Sequence, residues 1–514
     1  MTNLKEARYH ILLLLLVYVV GRLNILFTID SPILGWRPAD LASIAVSYFR
    51  NGFHFFYPQV FWGGNGPGYV EMEFPLLPFL TAALYKLFGL HDYLSLVLPY
   101  LSGFGLVWVT YRLANHLSGV TAGLIAGLIT AVAPTLIMQT TTGLWPDPPM
   151  VFFEALGMYL MILWTSNGRW QYLLLGACCC SLAILLKMTA LLLGFPLLYL
   201  FIKRYGKRWW REPATWVTSS IILLPPILWY SHAYQLYTQY GNTFGILAAG
   251  YSKFGDFWLL TDLHFYARTV RRILLYQCTP IGSVGFLYAV WVSVRQKANT
   301  VMVVWLLAIA LYAIVSARGV NEGHYQYLLP ILPVGAVFSG IGFVTLFAKA
   351  RTRWTLESNQ PQKLFLSLLL MLLFGANILW ARHSFVADDR KYDLPGWEEK
   401  KRTGLILRDM TSPGSLLIVS DTQMDHETPK TSMTPPDIFF FSDRRGWYLS
   451  MAWVTEDKIE HLRREGAAYF VVCGQSTLEF KTNHIHLADY LGSRYKVILD
   501  GSDGIVYDLK TSPN

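Results

Sequence analysis

Through roughly the first 380 residues, apolar runs of membrane-crossing length alternate with short polar loops, and then the pattern stops. Runs at 9–28, 95–113, 119–137, 149–166, 171–186, 188–203, 214–231, 273–294, 300–317, 325–348 and 364–382 predict about eleven transmembrane helices. Basic residues mark alternate loops: Lys5 and Arg8, Arg112, Arg169, Lys203 to Arg211, Arg295 to Lys297, and Lys349 to Arg353. With the N-terminus inside, every one of these clusters is cytoplasmic, as the positive-inside rule requires. Two long loops, 29–94 and 232–272, then lie outside, together with everything after the last span. In the first of them, Arg37 to Gly52 reads as an amphipathic helix with Leu41, Ile44, Ala45, Tyr48 and Phe49 on one face. It is too short to span and is expected to lie along the membrane surface. The stretch 74–89 reads as a second surface or re-entrant helix.

From about residue 384 the runs shorten. Ser415–Ser420, Ile438–Phe441, Ala468–Cys473, Tyr495–Leu499 and Gly504–Leu509 are strand candidates. A helix at 456–464 has Glu456 and Asp457 in its first turn, Arg463 and Arg464 in its last, and Gly466 as its stop. Asp500 to Gly504 is a turn between the last two strands. The expected architecture is an α-helical polytopic membrane domain, 1–383, followed by a small soluble α/β domain, 384–514, on the outer side of the cytoplasmic (inner) membrane.

Composition sharpens this picture. The chain is 54% hydrophobic and 15% charged, too apolar for a soluble globular protein. Its 18 Trp and 30 Tyr suit membrane interfaces. The net charge of +9 forms no stripe, so nucleic acid is not an expected partner. Five cysteines, three of them consecutive at Cys178 to Cys180, form neither a metal motif nor a disulfide framework. The first apolar run, about 11–27, lacks a small-residue cleavage site and reads as a retained span. No glycine-rich strand–helix turn of dinucleotide type occurs, so no nucleotide cofactor is expected.

The candidate chemistry is charge on the outer side, where basic residues are not needed for topology. Asp40 falls in the first turn of the surface helix, as a dipole-stabilising residue or as a general base at the water–lipid boundary. Of Glu71 and Glu73, only one is expected to face a shared site, and Glu73 is the nearer to the membrane-entering segment. Asp147 is framed by Pro146 and Pro148 at a helix entry, as a cap or as a rigidly held functional acid. Lys187 separates two apolar runs near an outer hairpin tip, either snorkelling to headgroups or pairing with an anion. His264, Arg268, Arg271 and Arg272 share one helical face, a cradle for phosphate or a contact for anionic lipid. His324 and Tyr325 open a span from the outer side as candidate substrate contacts.

At these residues the chain resembles the polytopic glycosyltransferases of the GT-C superfamily. It is most like the bacterial branch containing the lipid A aminoarabinose transferase, the lipopolysaccharide galacturonosyl transferases and the protein O-mannosyltransferase relatives. The resemblance rests on Arg37-Pro-Ala-Asp40-Leu-Ala-Ser-Ile-Ala, Tyr57-Pro-Gln, Glu71-Met-Glu73-Phe-Pro-Leu-Leu, Pro146-Asp147, Leu185-Leu-Lys187 and His324-Tyr325-Gln-Tyr-Leu-Leu-Pro-Ile-Leu-Pro. It implies transfer of a sugar, with inversion, from a polyprenyl-phosphate donor to a lipid, glycan or protein acceptor on the periplasmic face. Asp40 would be the catalytic carboxylate and Asp147 its acidic partner. Lys187 with Arg268, Arg271 and Arg272 would hold the donor phosphate, and Glu71, Glu73, His324 and Tyr325 would contact substrate. A divalent metal ion (Mg, Mn or Zn) on Glu73 or Asp147 is a further implication. Glu73-Phe74-Pro75 departs from the Lys-Pro-Pro step of the aminoarabinose transferases and points toward the galacturonosyl-like branch. A transporter or flippase for a lipid-linked saccharide is the rival reading, since anion-binding arginines suit it equally.

Overall fold

The computed structural model describes residues 2–28, 33, 35–248, 256–321, 324–353, 375–376, 379–380, 383, 394–421 and 436–512. The helical body runs α1 (Thr2–Thr28), α2 (Trp36–Asn51), α3 (Leu76–Phe88), α4 (Val97–Ser118), α5 (Val120–Val132), α6 (Pro134–Gln139), α7 (Asp147–Asn167) and α8 (Trp170–Leu186). It continues with α9 (Gly194–Tyr205), α10 (Pro213–Tyr240), α11 (Leu263–Arg272), α12 (Pro280–Gln296), α13 (Thr300–Val315), α14 (Ala317–Asn321) and α15 (Ile331–Arg353). Between them, β1 (Val70–Glu71) pairs in parallel with β2 (Asn242–Thr243) and joins the two long outer loops. The fold is thus mostly helical, with many apolar helices.

Among the described residues, four helical stretches are long and apolar enough to cross a membrane: Asp92–Ser118, Asp147–Asn167, Met188–Arg211 and Ile331–Ala350. The pair Leu263–Gln277 and Pro280–Gln296, bent by 112°, makes a fifth if it counts as one span. Several of the other expected runs are helical but interrupted or short. The run 119–137 breaks at Ala133, which is extended ahead of Pro134. The run 171–186 ends at Lys187, itself extended (φ −162°, ψ 124°), before a 3-10 turn at Met188–Leu193. The helix of 273–294 instead begins at Pro280, after a π-turn at Ile273–Gln277 and Thr279 at φ +64°. α1 and α10 are 27 and 28 residues long, about 40 Å each at 1.5 Å per residue. The run 364–382 lies almost wholly outside the described residues.

The expected surface helix is α2, and it does not lie with one face on lipid. Eleven of its residues, Pro38 through Tyr48, are buried. It is sandwiched between α3 and the C-terminal domain, so its polar residues meet protein instead of water.

That domain holds a five-stranded sheet in the order β4-β3-β5-β7-β6, made of β3 (Leu416–Asp421), β4 (Arg445–Ser450), β5 (Ala467–Cys473), β6 (Lys496–Gly501) and β7 (Gly504–Asp508). β3, β4 and β5 are parallel and the final hairpin is antiparallel. The helix Glu456–Arg464 forms as expected, with the Thr455 hydroxyl accepting from the Lys458 amide and Gly466 at φ +106°. Ile438–Phe441 is not a strand but the centre of the helix Asp437–Ser442. A short apolar run is ambiguous by periodicity, and the Pro-Pro-Asp before it is a helix start. The strand missed was β4, whose Arg445 and Gly446 break the apolar pattern.

The domain is fastened to the first outer loop. Arg50 forks onto Asp443 at 2.6 and 2.9 Å, and Gly446 exchanges backbone hydrogen bonds with Gly64 and Phe61 at 2.7 and 3.0 Å. Asn65 donates to Glu465 at 2.8 Å. A side chain at Gly64 would run into Trp447 of the domain.

In the helical body, α12 and α15 cross at backbone contact: a Cβ at Gly342 would sit 2.0 Å from the Gly285 carbonyl oxygen. Small residues permit such crossings in membrane bundles. Gly342→Ala is therefore expected to cost about 1–3 kcal/mol of stability through overpacking. Gly194→Ala, which meets nothing within 4 Å, should leave the detergent melting curve unchanged. Equal melting temperatures for both would contradict this packing.

Candidate active site

The N-terminal parts of α2 and α7, the C-terminal end of α8, and the segment after β1 bring four of the expected charges together. α2 starts at Trp36, with Gly35 before it at φ +94°. Asp40 therefore sits in the second turn, not the first, and its ionisation owes little to the helix N-terminus. Its neighbours decide instead. Asp40 is 5% exposed, and the Trp62 indole N–H donates to its Oδ1 at 2.9 Å. Burial pushes this carboxyl up to about 8, against the opposing Trp62 hydrogen bond and the Arg37 charge, while Asp437 and Glu73 add to the rise.

Arg37, one turn before Asp40, is the hub of the near side. Its guanidinium is 3.6 Å from Glu73 Oε1 and 4.5 Å from the centre of the Phe244 ring, a stacked cation of the kind arginine favours. Glu73 is placed by the backbone around it. The Phe74 amide donates to the Leu185 carbonyl at 3.0 Å, tying this segment to the end of α8. Trp229 of α10 donates to the Met72 carbonyl at 3.1 Å.

Lys187 and Asp147 form the far side. The α8 helix stops at Lys187, whose extended backbone turns its side chain across to α7, and Nζ meets Asp147 Oδ1 at 2.5 Å. Asp147 opens α7 behind Pro146. The pair is nearly buried, with side-chain exposures of 16% and 2%. Lys187 also lies 5.2 Å above the Tyr327 ring.

The remaining expected residues fall around this centre. Glu71 is fully buried and meets other partners than Glu73; an extended strand would put these two on one face, but β1 ends at Glu71 and the chain bends at Glu73. The Glu71 carboxylate accepts from the Thr243 hydroxyl and from the amides of Ile246 and Leu247 at 3.4 and 2.9 Å, clamping the second outer loop to the first. Arg268, Arg271 and Arg272 lie in the last turns of α11. Arg268 donates to Asn321 Oδ1 at 2.7 Å, and Arg272 to the Val320 carbonyl. Arg271 is exposed. α11 is thereby bound to α14, whose Gly319 abuts the Tyr327 ring under Lys187. His324 is exposed, with its ring 5.7 Å from that of Tyr327. Tyr325 opens the 3-10 turn Tyr325–Leu328, and its side chain lies outside the described residues. His264 is exposed on α11.

Glu73 and Asp147, the acids expected to hold a divalent metal, do not gather into a ligand set. Each faces a cation, Arg37 and Lys187 respectively, and among the described residues no three His, Cys, Asp or Glu side chains converge to hold a metal. Arg37, Trp62, Phe244 and Tyr327 were not assigned roles from the sequence. Arg37 was legible, one helical turn from Asp40, but nothing in the pattern marks an indole in an irregular loop as the partner of a carboxylate 22 residues earlier.

Breaking a buried ion pair from one side strands the other charge, at a cost of about 3–5 kcal/mol. Lys187→Met should therefore lower the detergent melting temperature, and adding Asp147→Asn should restore a large part of the loss. Additive losses in the double variant would contradict the pairing.

Residues 72–230 match the dolichyl-phosphate-mannose-protein mannosyltransferase family. Over 158 residues the chain is 27% identical to YycA of Bacillus subtilis (strain 168), a suggested mannosyltransferase; the match covers 30% of this chain and 22% of that relative's length. The whole fold superposes on ArnT from Cupriavidus metallidurans in the apo state, with a TM-score of 0.67 and 14% identity over 99% of this chain and 98% of that one. ArnT bound to undecaprenyl phosphate gives a TM-score of 0.63 at 14% identity, covering 98% of each chain. The oligosaccharyltransferase AglB from Archaeoglobus fulgidus, in complex with an inhibitory peptide and a dolichol-phosphate, gives 0.59 at 13% identity, over 95% of this chain and 72% of that one. With its acids and cations gathered at one end of the helical body beneath a C-terminal α/β domain, the chain has the fold of the polytopic GT-C glycosyltransferases.

Proposed function

We propose that this protein is a membrane glycosyltransferase that moves a sugar, with inversion, from a polyprenyl-phosphate donor to a lipid, glycan or protein acceptor on the outer face of the inner membrane. The observation that carries this reading is the pairing at one rim of a buried, largely protonated carboxyl, Asp40, with a nearly buried cation, Lys187, whose ion-pair partner Asp147 is a side chain that a phosphate can replace.

In the proposed reaction Asp40 accepts the proton of an acceptor hydroxyl as the oxygen attacks the anomeric carbon. The bond from that carbon to the phosphate oxygen breaks, and polyprenyl phosphate leaves with the electron pair. Lys187 exchanges Asp147 for the departing phosphate, and Arg268, Arg271 and Arg272 lend positive charge from α11. Asp147 is the acidic partner that holds Lys187 in place between turnovers. Arg37 and Glu73 set the position of Asp40, and Glu71 holds the loop that carries Phe244.

Beside α11 an apolar cavity of about 220 Å³, walled by Val270, Ile273, Phe286, Leu306, Ile309 and Leu328, is suited to a prenyl chain whose phosphate lies near Arg271. The two solved neighbours bound to undecaprenyl phosphate and dolichol-phosphate support a carrier of that class. The family match at residues 72–230 supports a sugar-transfer reaction.

The test is transfer of radiolabelled sugar from a panel of undecaprenyl-phosphate-linked donors to a crude envelope acceptor by the purified full chain. Asp40→Asn should lose about 10²–10⁴-fold in rate while retaining the melting temperature of the parent. In the parent, kcat/KM should rise about tenfold per pH unit below about 8 and level above it, since the base works only when ionised. Carrier binding without transfer by the parent would favour a flippase, and parent-rate transfer by Asp40→Asn would remove Asp40 from the chemistry.

A further inference from the structure

The C-terminal domain reaches the candidate site through the short helix Asp437–Ser442 and through Trp397. Asp437–Ser442 lies against α2, where Phe441 and Trp397 of the domain pack with Ile33, Ala39 and Ala42 in a separate apolar cluster. Ala39 directly precedes Asp40. Asp437 stands one turn before Phe441, on the same face of its helix. Both carboxylates are 5% exposed, and they interact electrostatically across the interface.

Behind Asp437 is a second buried cluster. Lys400 Nζ is 2.7 Å from Asp421 Oδ2 at the carboxyl end of β3, with side-chain exposures of 5% and 0%. The Ser476 hydroxyl donates to Asp421 Oδ1 at 2.7 Å. Lys400 also feels the charge of Asp437 and the nearby Cys473. One cation thus serves two acids on the domain side. On the membrane side Arg37 is shared between Asp40 and Glu73. The charges facing Asp40 are Arg37 from its own helix, Glu73 from the segment after β1, and Asp437 from the domain. α3, which packs along α2, contributes only Lys86, turned over the Phe53 ring 5.4 Å away. Asp40 and Asp437 are two buried carboxyls at one interface, so ionising both is costly, and charge on Asp437 favours the proton on Asp40.

We propose that Asp437 is a positioning residue supplied to the site by the C-terminal domain, an anionic neighbour that adds to burial in keeping the proton on Asp40. The domain is then a working part of the site rather than an appendage. The inference rests on Asp40 being the base of the proposed transfer, and it is tested without measuring transfer.

The experiment is an infrared difference titration of the full chain in nanodiscs. It follows the carbonyl band of a protonated buried carboxyl, assigned to Asp40 by its loss in Asp40→Asn. In the parent the band should disappear with a midpoint near about 8. Asp437→Asn should lower that midpoint by about one pH unit, and Asp437→Glu, which keeps the charge, should leave it near the parent value. If the Asn variant does not fold, Asp437→Ser, a residue equally suited to a helix start, makes the same measurement. A midpoint unmoved by the neutral variants, equal shifts in the neutral and Glu variants, or no such band in the parent would overturn the proposal. The band decides Asp437 whatever the transfer assay shows. Transfer by Asp40→Asn at the parent rate would instead overturn the reading of Asp40 as base.

Discussion

Charges taken out of water must be neutralised by neighbours, and this constraint organises the candidate site. A lysine and an aspartate nearly free of solvent each carry a desolvation cost that only a close partner offsets. Lys187 and Asp147 meet because α8 stops at an extended residue and α7 starts behind a proline. If α8 continued as helix, Lys187 would be carried past Asp147, and both charges would be stranded. The same logic applies across the rim, where Arg37 bridges toward Glu73 while stacking on Phe244. Glu71 holds the loop bearing Phe244 through backbone amides. Each charge thus fixes a different piece of chain, so the site and the local fold have the same interactions as their cause.

Asp40 is the exception, and that makes it informative. It has an indole hydrogen bond and a shared arginine, but no cation of its own, and it is buried under the C-terminal domain. A carboxyl in that setting costs less with its proton on. Such a group is poorly placed to stabilise the fold as an anion and well placed to take part in proton transfer near neutral pH. The domain's attachment through Arg50, Gly446 and Asn65 keeps this cover in register with the first outer loop.

The membrane class and most strands of the C-terminal domain were legible in the sequence, because hydropathy and period-two alternation report burial directly. Less legible was what happens where periodicity is interrupted. The bend of 112° between α11 and α12 and the break at Ala133 depend on tertiary packing, and a hydropathy window averages over them. The burial of α2 was hidden for a related reason. An amphipathic helix shows that one face is apolar, but the sequence does not say that a separate domain, some 400 residues later, covers the other. Asp437 was missed with it, since its segment has the apolar run of a strand and folds as a helix.

The most direct test of the account is an experimental structure of the full chain with an undecaprenyl-phosphate-linked sugar. The account predicts the phosphate against Lys187, with the Lys187–Asp147 contact opened, the prenyl chain along the apolar cavity beside α11, and the anomeric carbon on the Asp40 side. A phosphate bound elsewhere, with the Lys187–Asp147 pair intact and Asp40 out of reach of the sugar, would contradict it.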